Sequence, residues 1–134
     1  MTLNHLNLTV TDPTETSAFL AKYFGLLPGG GNQGMQMLRD DGGMVLTLIK
    51  ARRDDRVDAG PEGLEGGHTD EREGQVRYPS SFHIGFIQPS PARVDEINQR
   101  LRDDGFDVDA PARLHGSWTF YFQAPGGFTI EVLA

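Results

Sequence analysis

Two stretches of this chain carry the same pattern, and that repetition constrains the fold more than any other feature. Asp41-Gly42-Gly43-Met44-Val45-Leu46-Thr47-Leu48-Ile49-Lys50 aligns with Pro125-Gly126-Gly127-Phe128-Thr129-Ile130-Glu131-Val132-Leu133-Ala134 at a constant offset of 84 residues. The opening Asn4-His5-Leu6-Asn7-Leu8 aligns with Phe82-His83-Ile84-Gly85-Phe86 at an offset of 78. Internal repeats set the architecture before any local reading. Two copies are too few for a solenoid, so the pattern predicts a paired, pseudo-symmetric domain. A His opens each copy and a Glu closes the second, which suggests a metal site between the copies.

Each copy reads as a strand, a helix, then two or three strands. Over residues 3–10, Leu6, Leu8 and Val10 alternate with His5, Asn7 and Thr9, the period of a half-buried strand. Asp12-Pro13-Thr14-Glu15 offers a cap, a proline at the first helical position and a capping-box glutamate. Phe19, Leu20, Tyr23 and Phe24 recur at helical spacing, and Gly25 can end the helix. A Gly-rich turn then leads to strands at 34–39 and 44–50, joined by Asp40-Asp41-Gly42-Gly43. In the second copy Phe82, Ile84 and Phe86 alternate with His83 and Gly85. Ser90-Pro91 starts a helix that buries Val94, Ile97 and Leu101, and Gly105 closes it. Strands are expected around 106–109, 118–123 and 127–133.

At 134 residues the chain has the length of one domain. The expected division is a first module over 1–50, a connection over 51–80 and a second module over 81–134. Each half is too small for a secure core alone, so the halves complete each other within one chain or across a dimer. The connection is rich in Arg, Asp, Glu and Gly; it reads as a solvated linker, with a lid or a swap arm as the functional alternative. The net charge of −7 argues against non-specific binding to nucleic acid or anionic membranes, which needs a basic face. No apolar stretch approaches membrane-spanning length and no signal peptide is visible, so a cytoplasmic location is the expectation. There is no cysteine, which leaves His, Asp, Glu, Asn, Gln and water as metal ligands.

Strand parity singles out the candidate residues. His5, His83 and Glu131 each lie opposite the apolar set of their strand, as do Thr119 and Tyr121. The apolar sets pack on helices, so the other faces meet solvent or line a cavity. Two imidazoles and a carboxylate can hold Fe²⁺, Zn²⁺, Mn²⁺ or Ni²⁺ with positions left open. Singly, each has a plainer reading: an exposed or hydrogen-bonded His, a solvated Glu, an amphipathic Tyr121. His68 and His115 fall in polar loops, where exposure is the ordinary outcome. The matched positions in two copies favour the ligand reading.

The stretches Leu3–Val10, Phe82–Phe86 and Thr119–Val132 resemble the vicinal oxygen chelate superfamily, which includes glyoxalase I, fosfomycin resistance proteins, extradiol dioxygenases and bleomycin resistance proteins. The resemblance spans 1–50 and 81–134. It implies an α+β fold of two paired βαβββ modules forming a cup-shaped, partly open β-barrel around one divalent metal, and a homodimer. It implies His5, His83 and Glu131 as metal ligands, a small-molecule substrate, and Asn7, Thr47, Thr119 and Tyr121 at the substrate. Thr47 stands where glyoxalase I has its fourth, carboxylate ligand, which disfavours that activity. Asn7 and the loop before Thr119 depart from the fosfomycin resistance pattern, and its Arg-bearing tail is missing beyond Ala134. The extradiol pattern gives catalytic roles to Tyr121, ten residues before Glu131, and to His115 or His68 as an acid–base group. The implied activity is that of a lyase, dioxygenase or transferase. The alternative is a metal-free small-molecule or antibiotic-binding protein of the bleomycin resistance type.

Overall fold

A computed structural model describes residues 3–55 and 76–134. The first unit runs β1 (His5–Val10), α1 (Pro13–Phe24), β2 (Leu27–Asn32), β3 (Met35–Arg39) and β4 (Val45–Lys50). The second runs β5 (His83–Ile87), α2 (Pro91–Asp103), β6 (Ala112–Leu114), β7 (Ser117–Gln123) and β8 (Thr129–Leu133). Each is a βαβββ unit. The sheets have matching orders, β1-β4-β3-β2 and β5-β8-β7-β6. The β1/β4 and β5/β8 pairs are parallel and the remaining pairs antiparallel. The architecture is α+β, an open cup of two sheets with no closed barrel.

Local chemistry sets the helix ends. The Asp12 carboxylate accepts from the backbone N–H groups of Thr14 and Glu15, while Pro13 occupies the first turn, where it needs no donor. Gly25, at φ 71°, closes α1 in the left-handed conformation that glycine adopts freely. The Ser90 hydroxyl caps α2 by accepting from Arg93 N–H.

The expected Gly-rich turn after α1 is instead β2. It pairs only with β3, through a bulge between Pro28 and Gly30. A Cβ at Gly31 would lie 2.2 Å from the Met35 carbonyl oxygen, so the strand can approach β3 only without a side chain there. The strand expected at 106–109 does not form; β6 begins at Ala112. The period-two signal is real, since Val108 is buried and Phe106 packs on the core. The carbonyls, however, accept from α2 side chains: Asn98 Nδ2 donates to Asp109 O (2.7 Å) and Arg102 Nη2 to Val108 O (3.1 Å).

One continuous core joins the two units. Leu8, Val10, Phe19, Leu20 and Leu48 of the first pack with Phe120, Phe122, Ile130 and Val132 of the second. Helix α1 makes the bridge: Phe19 lies 5.3 Å from Phe106 and 6.0 Å from Phe122, centre to centre, and Phe24 stacks on Phe86 at 4.3 Å. Lys22 and Tyr23 both donate to the same Asp104 oxygen, at 2.9 and 2.5 Å. The connection is docked at both ends. Ala51 N–H donates to Val10 O, Arg77 N–H to Asp55 O, and Val76 is buried against Gly127. Residues 56–75, with His68 and most of the expected lid or swap arm, lie outside the described residues.

Candidate metal and substrate site

Because the apolar faces of both sheets turn into the shared core, their helix-free faces are left to carry chemistry. On the second sheet, three neighbouring strands bring the candidates together. Gly85 of β5, Glu131 of β8 and Tyr121 of β7 are successive partners across the ladder. Glu131 Oε2 lies 3.4 Å from His83 Nε2, and Oε1 accepts a short hydrogen bond from the Tyr121 hydroxyl. The His83 and Tyr121 rings meet edge to face, 5.7 Å apart.

The other ring nitrogen of His83 fixes its role. Nδ1 lies 3.1 Å from the Ser81 carbonyl, which can only accept, so Nδ1 carries the proton. In the neutral imidazole Nε2 then presents a lone pair to a carboxylate oxygen. Two acceptors facing each other need a cation or a proton between them. A ring held by a backbone carbonyl on its far side is the usual support of a metal-ligating His. The donor set therefore fits a divalent cation, to which His83 and Glu131 would supply two ligands.

Tyr121 donates to Glu131, and that bond is the main reason its phenol is raised above its usual 10.0. Burial and the carboxylate charge act in the same direction. Tyr121 is thus held as a neutral donor. Thr119 is buried; its hydroxyl donates to Val132 O at 2.8 Å and lies 3.5 Å from Glu131 Oε1. It braces β7 on β8 beneath the carboxylate.

Two residues that the sequence reading did not assign belong here. Ser81 sets the His83 tautomer through its backbone, which no side-chain pattern signals. Gly85 leaves open the space beside Glu131, where a Cβ would sit 3.6 Å from Oε2. Its position between His83 and Glu131 in parity was the available clue.

The first sheet carries the other candidates. His5 and Asn7 of β1 share the helix-free face with Thr47 of β4, Asn7 and Thr47 being register partners. His5 is exposed and its Nδ1 bonds Asn4 Oδ1 at 2.7 Å. Among the described residues, no group of three His, Asp or Glu side chains is gathered closely enough to hold a metal, so His5 does not meet His83 and Glu131 within one chain. His115 occupies the two-residue β6–β7 turn with Gly116, at φ 51° and 91°. That tip is six residues from Tyr121, about 20 Å along an extended strand. Trp118 donates from Nε1 to Asp95 at 2.7 Å, and the Tyr78 hydroxyl bridges Thr9 N–H and C=O along the free edge of β1.

With this fold and site, the chain belongs to the Glyoxalase/Bleomycin resistance protein/Dioxygenase superfamily, whose model matches residues 2–132. It is similar to a possible glyoxalase from Bacillus cereus, at 42% identity over 100% of this chain and 99% of that one, with a TM-score of 0.79. It shares its fold with lactoylglutathione lyase from Agrobacterium tumefaciens, at 24% identity over 98% and 92% of the two chains and a TM-score of 0.69. The oxidase ChaP-H2 shares it too, at 20% identity over 100% and 93%, with a TM-score of 0.70. No curated protein matches the chain. No described helix is long and apolar enough to cross a membrane.

Proposed function

We propose that this protein is a metal-dependent enzyme acting on a small substrate with neighbouring oxygens, as a lyase, dioxygenase or transferase. The carrying observation is the His83 Nε2–Glu131 Oε2 pair, two acceptors 3.4 Å apart with the imidazole tethered to Ser81. The third ligand of the reading is His5, and the active form is a homodimer in which the partner's His5 reaches the His83–Glu131 pair. The distribution of exposed apolar side chains supports this. Leu27, Met35, Met37 and Ile49 share the face of Asn7 and Thr47, while Ile87 and Leu114 share that of Glu131. Apolar surface grouped on the faces that carry the ligands calls for a cover, and a second copy turning its first sheet onto the second sheet supplies one.

A divalent cation, Fe²⁺, Mn²⁺, Zn²⁺ or Ni²⁺, would supply electrophilic stabilisation of charge developing on a substrate oxygen. The chain does the rest. The Ser81 tether and the Tyr121 bond hold the imidazole and carboxylate in place before substrate arrives, so little reorganisation remains. Tyr121, whose single proton is held on Glu131, offers its phenol oxygen as an acceptor to a substrate hydroxyl. Gly85 leaves room beside Glu131, and Asn7 and Thr47 offer neutral polar contacts from the facing sheet. His115 is the second acid–base candidate. With Thr47 in place of a fourth carboxylate, glyoxalase I chemistry is the least favoured of the superfamily's reactions.

The test is elemental analysis of protein purified without added metal or chelator, with mass determination of the oligomer. About one metal per chain, lost in His83→Ala and in His5→Ala, supports the reading. Mixing the two variants tests the dimer. If His5 acts across the interface, random pairing regenerates about a quarter of the sites, since half the dimers are mixed and each has one intact site. No recovery means the site forms within one chain. No metal in the native protein, even on reconstitution, makes it a metal-free small-molecule-binding protein.

A further inference from the structure

The shared core is not filled at one end. Where the C-terminal turn of α1, the β3–β4 turn and β5 meet, a partly open cavity of about 510 Å³ remains. It runs along the free edge of β5: Ile84 and Phe86 line it from the core side and Gly85 and Ile87 from the other, while His83 and Glu131 do not line it. Its wall is apolar and aromatic, with Leu6, Phe24 and Leu46 facing Ile84 and Phe86. Phe24 and Phe86 are already stacked, with 19° between their planes. Size and lining are those of a small-molecule site.

The polar groups at its mouth choose the ligand. The lining includes Asp40, Asp41 and Gln88 and, among the described residues, no Lys, Arg or His. One Asp40 oxygen accepts from Met44 N–H at 2.7 Å, whereas Asp41 makes no hydrogen bond or ion pair with any described residue. An anion would enter against two negative charges. A flat aromatic body can lie against the Phe24–Phe86 stack, and a cationic substituent can reach the carboxylates, with the rings adding cation–π attraction.

We propose that this cavity is a second binding site, specific for planar aromatic organic cations and distinct from the His83–Glu131 pair. It is independent of the metal reading, because none of the proposed ligands lines it.

Calorimetric titration with three naphthalenes that differ in charge tests the inference: 2-(aminomethyl)naphthalene, 2-naphthylmethanol and 2-naphthoate. The ammonium is expected to bind most tightly and the carboxylate most weakly. Asp41→Asn should weaken the ammonium about twofold to fivefold, the range of one exposed ion pair, and leave the alcohol unchanged. Met44→Trp, which fills the cavity from its wall, should abolish binding, and His83→Ala should leave it intact. Circular dichroism melts establish that each variant is folded. Naphthoate binding as tightly as the ammonium, an unaffected Met44→Trp, loss of binding in His83→Ala, or no binding at millimolar ligand would each overturn the assignment.

Discussion

The joint between the two units has little slack at Gly126, and replacing that glycine by alanine measures how little. Gly126 stands at φ 101° in the β7–β8 turn, where its carbonyl accepts from Thr11 N–H. A Cβ there would lie 2.6 Å from Thr16 Oγ1 and 3.1 Å from Val10 Cβ. Both neighbours are fully buried, and Thr16 is held by its hydrogen bond to Asp12 O at 2.7 Å. The cost has two parts. The left-handed conformation costs a non-glycine residue about 1–2 kcal/mol, partly offset by the smaller entropy of the unfolded alanine chain. Overpacking a tight interior adds about 1–3 kcal/mol. Gly116 isolates the first part, because it has φ 91° with nothing within 4 Å of its Cβ position. Gly116→Ala is therefore expected to cost about 1 kcal/mol and Gly126→Ala about 2–4 kcal/mol. Urea unfolding followed by circular dichroism at one fixed protein concentration gives both values, since any self-association makes apparent stability depend on concentration. Adding Thr16→Ala to Gly126→Ala removes the nearest atom, so the double variant should lose less than the sum of the singles. Equal destabilisation by Gly126→Ala and Gly116→Ala would refute the packing argument.

Other expectations follow from single contacts. Burial raises the Tyr78 phenol above its ordinary 10.0, against the lowering effect of its Thr9 backbone bond. The resulting stability is complete below pH 10 and is lost as pH rises through the folded value; Tyr78→Phe should flatten urea midpoints at alkaline pH relative to wild type, and parallel curves would contradict this. Tyr23 first, and then Lys22, lower the Asp104 carboxyl below its ordinary 3.8. That contribution is present above pH 3.8 and disappears as pH falls through the folded value, so the difference in melting temperature between wild type and Asp104→Asn should vanish in acid. Gly85→Ala makes only ordinary contacts and should melt like wild type while weakening metal uptake; unchanged uptake would mean that the space beside Glu131 has no role. His115→Asn suits the positive-φ turn better and should stabilise by a few tenths of a kcal/mol. Loss of turnover in that well-folded variant would make His115 an acid–base group, and full activity would leave it a turn residue.

The parts of the fold legible in the sequence are those where side chains alone decide the outcome. Asp12-Pro13 and Ser90-Pro91 mark both helix starts because cap and proline act within one turn. The alternation in β1, β5, β7 and β8 sorted residues onto the correct faces because each strand has one face in the shared core. Backbone pairing was not legible. Leu27–Asn32 forms a strand by bonding to β3 despite three successive glycines, and 106–109 has strand periodicity but receives its hydrogen bonds from Asn98 and Arg102. The site divides in the same way. Parity put Glu131, Tyr121 and His83 on one surface, and adjacent strands made them neighbours. The placement of His5 depends on how the two sheets sit relative to each other, which is set by Phe19 and Phe24 reaching across to the second unit, a contact that no pattern within either copy records.

The two copies have diverged at the positions that would matter for a shared site. The offset of 78 equates Asn7 with Gly85 and Thr9 with Ile87; the offset of 84 equates Thr47 with Glu131. On the second sheet the carboxylate, its tyrosine donor and the gap beside it are all present. The first sheet offers His5 with neutral Asn7 and Thr47. The free edges differ as well, since Tyr78 caps β1 at Thr9, while the equivalent Ile87 on β5 is 81% exposed. A pair of identical half-sites would place like groups, such as two carboxylates, opposite each other, which is costly without a cation. Unlike halves remove that repulsion: one sheet concentrates the carboxylate and the hydrogen bonds that orient it, and under the proposed function the other would contribute the His5 imidazole. Under the proposed pairing, such a division would make contact between copies productive, because each sheet would face the other sheet of a second chain rather than its own duplicate.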